Sequence, residues 1–226
     1  MTFSICGRCA KTGMVGVAIT TSSICVGSRC PWVRAGVGAV STQNVTLPSL
    51  GATVLDNIAR GDRCETAING ALGEDSFADY RQVIAMDAAG RGAVFSGAKT
   101  LGINATATGE DCVAAGNLLA NAELPFVMTR AFAAGAALSL PERLLRALEA
   151  GLHDGGGEEG EVHSAALLAA DKQPWALVDL RVDWDDDAPL SALRRLWEAY
   201  EPQMQNYVTR ALNPPTAPSY GVPGDE

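Results

Sequence analysis

The spacing of apolar residues along this chain switches repeatedly between a period of two and a period near about 3.6, which restricts it to layered folds mixing strands and helices. Phe3 and Ile5, then Val15, Val17 and Ile19, alternate with polar or small residues. They predict strands over Thr2 to Cys9 and Met14 to Thr20 around the turn Lys11-Thr12-Gly13. Ile24 to Gly27 and Val37 to Gln43 read as further strands, separated by Arg29 to Arg34. A helix follows in which Pro48 marks the start, Leu50, Val54 and Ile58 form one stripe, and Gly61 the stop. A second helix carries Ile68 and Leu72 behind a capping pair, Asp62 and Glu65. Period two returns at Gln82 to Asp87 and Gly92 to Phe95, with residues 88–91 as the hairpin loop. A short strand, Cys112 to Ala115, leads into a helix from Leu118 to Ala133. Ser139-Leu140-Pro141-Glu142 opens another helix, closed by Gly151. His163 to Ala170 and Trp175 to Val182 form a last hairpin, and Leu190, Leu193, Leu196, Trp197 and Tyr200 a last amphipathic helix.

Hairpins separated by helix pairs predict an α+β fold with mostly antiparallel sheets, built as one domain over residues 1–212. Residues 213–226 are a proline-rich tail expected to fray. With 226 residues, 47% of them hydrophobic, the chain buries a sizeable core without disulfide or metal staples. Its long uncharged runs, Thr12 to Ser28 and Ala35 to Leu55, are broken by Ser, Thr, Gln, Asn, Gly and Pro, so neither reads as a membrane span. Arg8 and Lys11 interrupt the N-terminus before an apolar stretch forms, so no secretory signal is read and a cytoplasmic location is expected.

A net charge of −9 argues against nucleic acid or an anionic membrane as partner. Residues 1–60 run the other way, with Arg8, Lys11, Arg29, Arg34 and Arg60 against Asp56 alone. That bias reads either as an anion-receptive site or as scattered solvated charge. His153 and His163 are the only histidines, which excludes a His-rich metal site; both read as capping or surface residues. The six cysteines, without a secretory signal, read as reduced thiols. Cys6-Gly7-Arg8-Cys9 is formally C-x-x-C, but an odd spacing on a strand points the two thiols to opposite faces. No second such pair exists to complete a zinc ribbon, and no cofactor or metal is expected.

Thr2-Phe3-Ser4-Ile5, Gly13 to Ala18, the block Pro31 to Gln43, Pro48 to Gly51, Tyr80-Arg81-Gln82, Gly116 to Leu119, and Asp179 to Asp183 follow one another over residues 2–200. In that order these peptides resemble those of one bacterial and archaeal family, domain-of-unknown-function family number 1028. The block 31–43 is the most specific of these. The resemblance implies an N-terminal-nucleophile (Ntn) hydrolase-like fold, a four-layer αββα sandwich of two packed sheets. The chain departs from the family in its Cys6–Cys9 pair and in having Trp184-Asp185-Asp186-Asp187 where many members place a histidine.

On that fold, Thr2 is the expected nucleophile of a hydrolase acting on a small amide or related acyl substrate once Met1 is removed. The freed α-amine, with a reference pKa near about 8, then serves as base for the hydroxyl of the same residue. No histidine is needed. By analogy with the fold, Arg34 is the expected base-tuning cation, Gln43 and Asn117 the donors to an oxyanion or substrate amide, and Ser22 or Ser23 the group orienting the amine. The ordinary alternatives are a surface ion pair for Arg34, a strand-end side chain for Gln43, a turn residue for Asn117 and loop residues for the serines. A different class of function, a non-catalytic ligand-binding or assembly protein on the same sandwich, fits the low aromatic content and abundant small residues. Either way a small-molecule partner and a homo-oligomer are expected.

Overall fold

Gly7 and Gly16 stand opposite each other on β1 (Thr2–Arg8) and β2 (Val15–Thr21), and their missing side chains let helices settle onto the sheet. A Cβ on Gly7 would lie 2.8 Å from the Phe132 ring of α3 (Leu124–Ala134). One on Gly16 would lie 2.7 Å from Leu144 of α4 (Leu140–His153). Phe3, Ile5 and Ala18 project to the same side, against Met128, Leu145 and Leu148. Each large apolar side chain fully buried there contributes about 1.5–3 kcal/mol.

This computed structural model describes residues 1–222. The helix-covered sheet has six strands, in the order β10 (Val178–Val182), β9 (Ser164–Ala170), β2, β1, β8 (Cys112–Asn117), β7 (Ala105–Gly109). A second, four-stranded sheet runs β3 (Pro31–Arg34), β4 (Gly38–Asn44), β5 (Arg81–Asp87), β6 (Gly92–Ser96). All these pairings are antiparallel. Outside the second sheet, α1 (Ser49–Ala59) and α2 (Cys64–Gly73) bury Leu50, Val54, Ile58, Ile68 and Leu72 against Val40, Val83 and Ala85. Helix α5 (Pro189–Tyr200) joins the layer of α3 and α4 through Leu190, Leu193 and Trp197. The layers therefore run α, β, β, α, the sandwich that the resemblance implied. Among the described residues no helix is long and apolar enough to cross a membrane.

Several elements differ from expectation. Residues 24–27 form no strand: Cys25 is left-handed at φ 57° and a 3₁₀ turn occupies Val26–Ser28. The Cys25 and Val26 N–H groups donate instead to the Asp183 carbonyl (2.9 Å) and the Ser164 hydroxyl (3.2 Å). Strand β3 lies inside the segment read as a separator, and β7 and α6 (Met204–Leu212) were not expected. At Leu118, φ is 50°, which turns the chain away from a helix until Leu124. Neither capping box forms. Arg63 rather than Asp62 precedes α2, and Ser139 makes no side-chain cap to α4. Glu142 is committed elsewhere, to Arg146, Arg194 and Trp197. On β10, Arg181 pairs with Asp179 of the same strand (2.6 Å).

Part of the tail expected to fray turns back on α6: the Arg210 guanidinium lies 3.8 Å over the Tyr220 ring and donates to the Pro218 carbonyl (2.9 Å). Its remaining residues, 223–226, lie outside the described residues.

Candidate active site at the polar end of the inter-sheet layer

Side chains alternate along a strand, so on β1 the residues Thr2, Ser4 and Cys6 point toward the second sheet. The layer between the sheets is graded along its length. At the Cys6 end it is apolar, with Val15, Val17, Ala39, Ile84, Met86, Val113 and Ala170. At the Thr2 end it is polar, with Thr21, Ser41, Gln43, Gln82 and Asn117, all buried. Register explains the grouping: Thr2 is opposite both Thr21 on β2 and Asn117 on β8, and Gln43 is opposite Gln82.

The glutamines knit the sheets together. The Gln43 amide donates to Gln82 Oε1 (2.7 Å) and to the Ala115 carbonyl (3.3 Å). Its own oxygen accepts from the hydroxyls of Ser4 (2.6 Å) and Ser41 (3.3 Å). Gln82 in turn donates to the Gly116 carbonyl (3.1 Å) and Ser96 (2.9 Å), which fixes the orientation of its amide. Gln82 Oε1 also accepts from Asn117 Nδ2 (3.0 Å). Both Gln43 amide protons are thus spent, and it has none to offer an oxyanion. Asn117 presents its oxygen rather than its nitrogen: Oδ1 is buried with no hydrogen-bond partner among the described residues. It is placed to accept from an amine or amide N–H, not to donate.

Thr2 sits at the open end of this network. Its hydroxyl donates to the Met1 carbonyl (2.5 Å) and lies 3.0 Å from the Thr21 hydroxyl. The Thr21 hydroxyl also donates to the Met1 carbonyl, and Ser23 Oγ is 3.2 Å from Thr21 Oγ1. A carbonyl attached at Thr2 therefore meets two hydroxyls at once. Glu158, brought in by a bridge to Leu119, is buried within reach of the charge of the Met1 α-amine, and neither of its carboxylate oxygens makes a well-aligned hydrogen bond among the described residues. Burial pushes its carboxyl up to about 8, opposed by the charge of that α-amine and by the backbone N–H of Ser22.

Of the residues expected at a site, the structure brings together Thr2, Gln43, Asn117, Ser22 and Ser23. It does not bring Arg34 to them. Arg34 pairs in register with Gly38, five residues before Gln43 on β4, about 17 Å away at the usual strand rise, and is bound to Asp56 on α1 (2.8 Å). The other N-terminal basic residues disperse too: Arg8 binds Asp111 (2.7 Å) and Arg29 the Ile24 carbonyl (2.6 Å). Cys6 points between the sheets, whereas Cys9 packs on the helix-covered side, as their spacing required. His163 stacks on Trp184 with ring centroids 4.5 Å apart. Sequence reasoning missed Thr21, Gln82 and Glu158. The run Thr20-Thr21-Ser22-Ser23 at a strand end was the available signal for Thr21; Glu158 sat in a loop read only as acidic.

The sequence model of a family of unknown function, DUF1028, matches residues 2–193. Among proteins with curated descriptions none matches this sequence. Among solved structures, the crystal structure of protein SPO2555 from Silicibacter pomeroyi, of the same family, is 32% identical, with a TM-score of 0.83 over 91% of this chain and 89% of its own. Anbu from Hyphomicrobium sp. strain MC1 is 11% identical, with a TM-score of 0.44 over 97% of this chain and 100% of its own. Anbu (ancestral beta-subunit) from Yersinia bercovieri is 8% identical, with a TM-score of 0.40 over 91% of this chain and 97% of its own.

Proposed function

The chain belongs to the DUF1028 family, and on that footing we propose that it is a hydrolase of small amides or related acyl compounds, with Thr2 as the nucleophile after removal of Met1. The observation that carries this reading is the Thr2 hydroxyl, 2.5 Å from an acyl oxygen that Thr21 also holds, at the mouth of a buried polar network. With Met1 present, the nitrogen of Thr2 is an amide and has no basicity. Its removal supplies an α-amine on the residue that carries the hydroxyl.

Thr2 Oγ1 then attacks the substrate carbonyl carbon while its proton passes to the α-amine. The α-ammonium returns a proton to the departing amine, leaving an ester on Thr2. Water, activated by the same amine, cleaves that ester and restores the hydroxyl. The Thr21 hydroxyl is the donor to the acyl oxygen, in place of Gln43, and Ser23 stands behind it. Asn117 Oδ1, without another partner among the described residues, accepts from the α-amine of Thr2 or from the substrate N–H. Gln43 and Gln82 hold Asn117 and Ser4 in place. Arg34 has no part in this chemistry.

The test is a protein that begins at Thr2, produced by cleaving a fusion immediately before that residue and checked by intact mass. It is expected to hydrolyse members of a panel of small amides and esters, and Thr2→Ala to abolish that turnover. Turnover undiminished in Thr2→Ala overturns the reading. Turnover equal in protein that retains Met1 overturns it as well.

A further inference from the structure

Met1 occupies the place that the proposed reaction reserves for an acyl group, and it is itself an aminoacyl group. Its carbonyl oxygen is held by the hydroxyls of Thr2 and Thr21. Its side chain lies along Gly160, where a Cβ would come within 3.0 Å of the thioether methyl. Its α-amine is the positive charge acting on Glu158.

Glu158 is the unexplained part of this arrangement. It is only 7% exposed, and the backbone N–H of Ser22 lies near enough to favour its charged form, yet neither carboxylate oxygen makes a well-aligned hydrogen bond and no lysine or arginine pairs with it among the described residues. A charged carboxylate is disfavoured in such a place, so the group keeps its proton until a cation arrives to meet it. Beside it opens a cavity of about 480 Å³, bordered by Leu152, Val162, Glu161, Asp186 and Asp187, with no basic residue in its wall. That wall favours a cationic ligand and leaves room for a side chain of the size of methionine's.

Resting on the reading of Thr2 as nucleophile, we infer that the substrates are aminoacyl compounds with a free α-ammonium group, and that Glu158 is the residue that receives the ammonium. Aminoacyl amides, aminoacyl esters and the unblocked first residue of a short peptide share this chemistry. N-acylated analogues lack the charge and leave Glu158 unmet.

Binding separates this inference from the catalytic one. Protein beginning at residue 2 and carrying Thr2→Ala is titrated calorimetrically with L-methioninamide and with its N-acetyl derivative. The free amine is expected to bind on the order of tenfold or more tightly than the blocked one, as a charge-assisted bond to a buried carboxylate implies. Glu158→Gln in the same background is expected to remove the preference. Equal binding of the two compounds, no binding of either, or a preference that survives Glu158→Gln overturns the inference. The comparison of the two ligands with Glu158 intact holds whether or not the variant folds. If methioninamide binds as expected but protein beginning at Thr2 never hydrolyses it, the nucleophile reading fails while recognition by Glu158 stands. If Glu158→Gln instead lowers kcat equally for blocked and free substrates, Glu158 serves the Thr2 amine and not the substrate, and the inference falls.

Discussion

Gln43 and Gln82 face each other across β4 and β5 and share an amide hydrogen bond of 2.7 Å, and through it the second sheet grips the strand that begins with Thr2. Gln43 reaches Ser4 and the Ala115 carbonyl; Gln82 reaches Asn117 and the Gly116 carbonyl. The apolar end of the same layer holds the sheets together without direction, by burial. The polar end holds them in one register, because each amide proton has one acceptor within reach.

Replacing Gln82 with leucine therefore costs more than its volume suggests. The Gln43 and Asn117 amides lose their shared acceptor, and the Gly116 carbonyl loses its side-chain donor. At about 1–3 kcal/mol for each buried group left unsatisfied, a loss of about 2–5 kcal/mol is expected. Urea titration of Gln82→Leu beside the parent measures it. A midpoint unchanged from the parent would show that the network is not what aligns the sheets here.

Arg34→Ala is expected to do almost nothing. The Arg34–Asp56 pair is exposed on both sides, and pairs of that kind contribute about 0–1 kcal/mol. Turnover by protein beginning at Thr2 should be unchanged, because Arg34 lies at the far end of β4 from Gln43. A large loss of kcat in Arg34→Ala would restore it to the catalytic chemistry and count against the site drawn here.

Arg34 also shows where sequence reasoning reaches its limit. Periodicity placed β1, β2, β4, β5, β8 and β9 within a few residues, since each buries one or both faces and says so in its apolar pattern. It missed β7 and α6, which bury little, and misread residues 24–27, where a left-handed Cys25 decides the path. Thr2 and Gln43 were legible as polar residues on strands that bury their faces, whereas Asn117 read as a turn residue and turns out to end β8. What these residues bond to was not legible, because register between distant strands pairs Gln43 with Gln82 and sends Arg34 to Asp56. Glu158 could be placed only once Leu119 had bridged to it across the fold.

Cys9 is expected to be alkylated before the buried thiols. Burial is the largest single influence and raises its pKa, but the Thr12 hydroxyl, the backbone N–H groups of Thr12 and Lys11, and the charge of Arg143 together outweigh it and lower the value. Cys64 and Cys112 are each pushed up to about 12, chiefly by burial, and Cys6 and Cys30 are raised for the same reason. The thiolate is the reacting species, so brief iodoacetamide treatment near neutral pH followed by peptide mapping should label Cys9 ahead of those four. Labelling of Cys112 or Cys64 as fast as Cys9 would contradict the burial of those two thiols, the first on β8 and the second at the start of α2.

Glu158 makes stability depend on pH in a direction opposite to that of most carboxylates. Its folded-state carboxyl is held at about 8, chiefly by burial, against 4.5 as the ordinary value. Between those two values the folded protein keeps a proton that the unfolded chain has given up, so stability falls as pH rises across that window. The slope from this one group is at most about 1.4 kcal/mol per pH unit, and screening and relaxation reduce it. Glu158→Gln keeps the shape and removes the titration. Its denaturation midpoint should match the parent's near pH 4.5 and exceed it increasingly toward pH 8. Parallel profiles for the two proteins would mean that the carboxyl has a partner in solution and is not waiting for one. If the profiles diverge as expected, an ammonium ligand must draw the proton off Glu158 as it binds, and its binding below pH 8 should release protons to the buffer. The apparent enthalpy of methioninamide binding would then change with the ionisation enthalpy of the buffer, and Glu158→Gln would abolish that dependence.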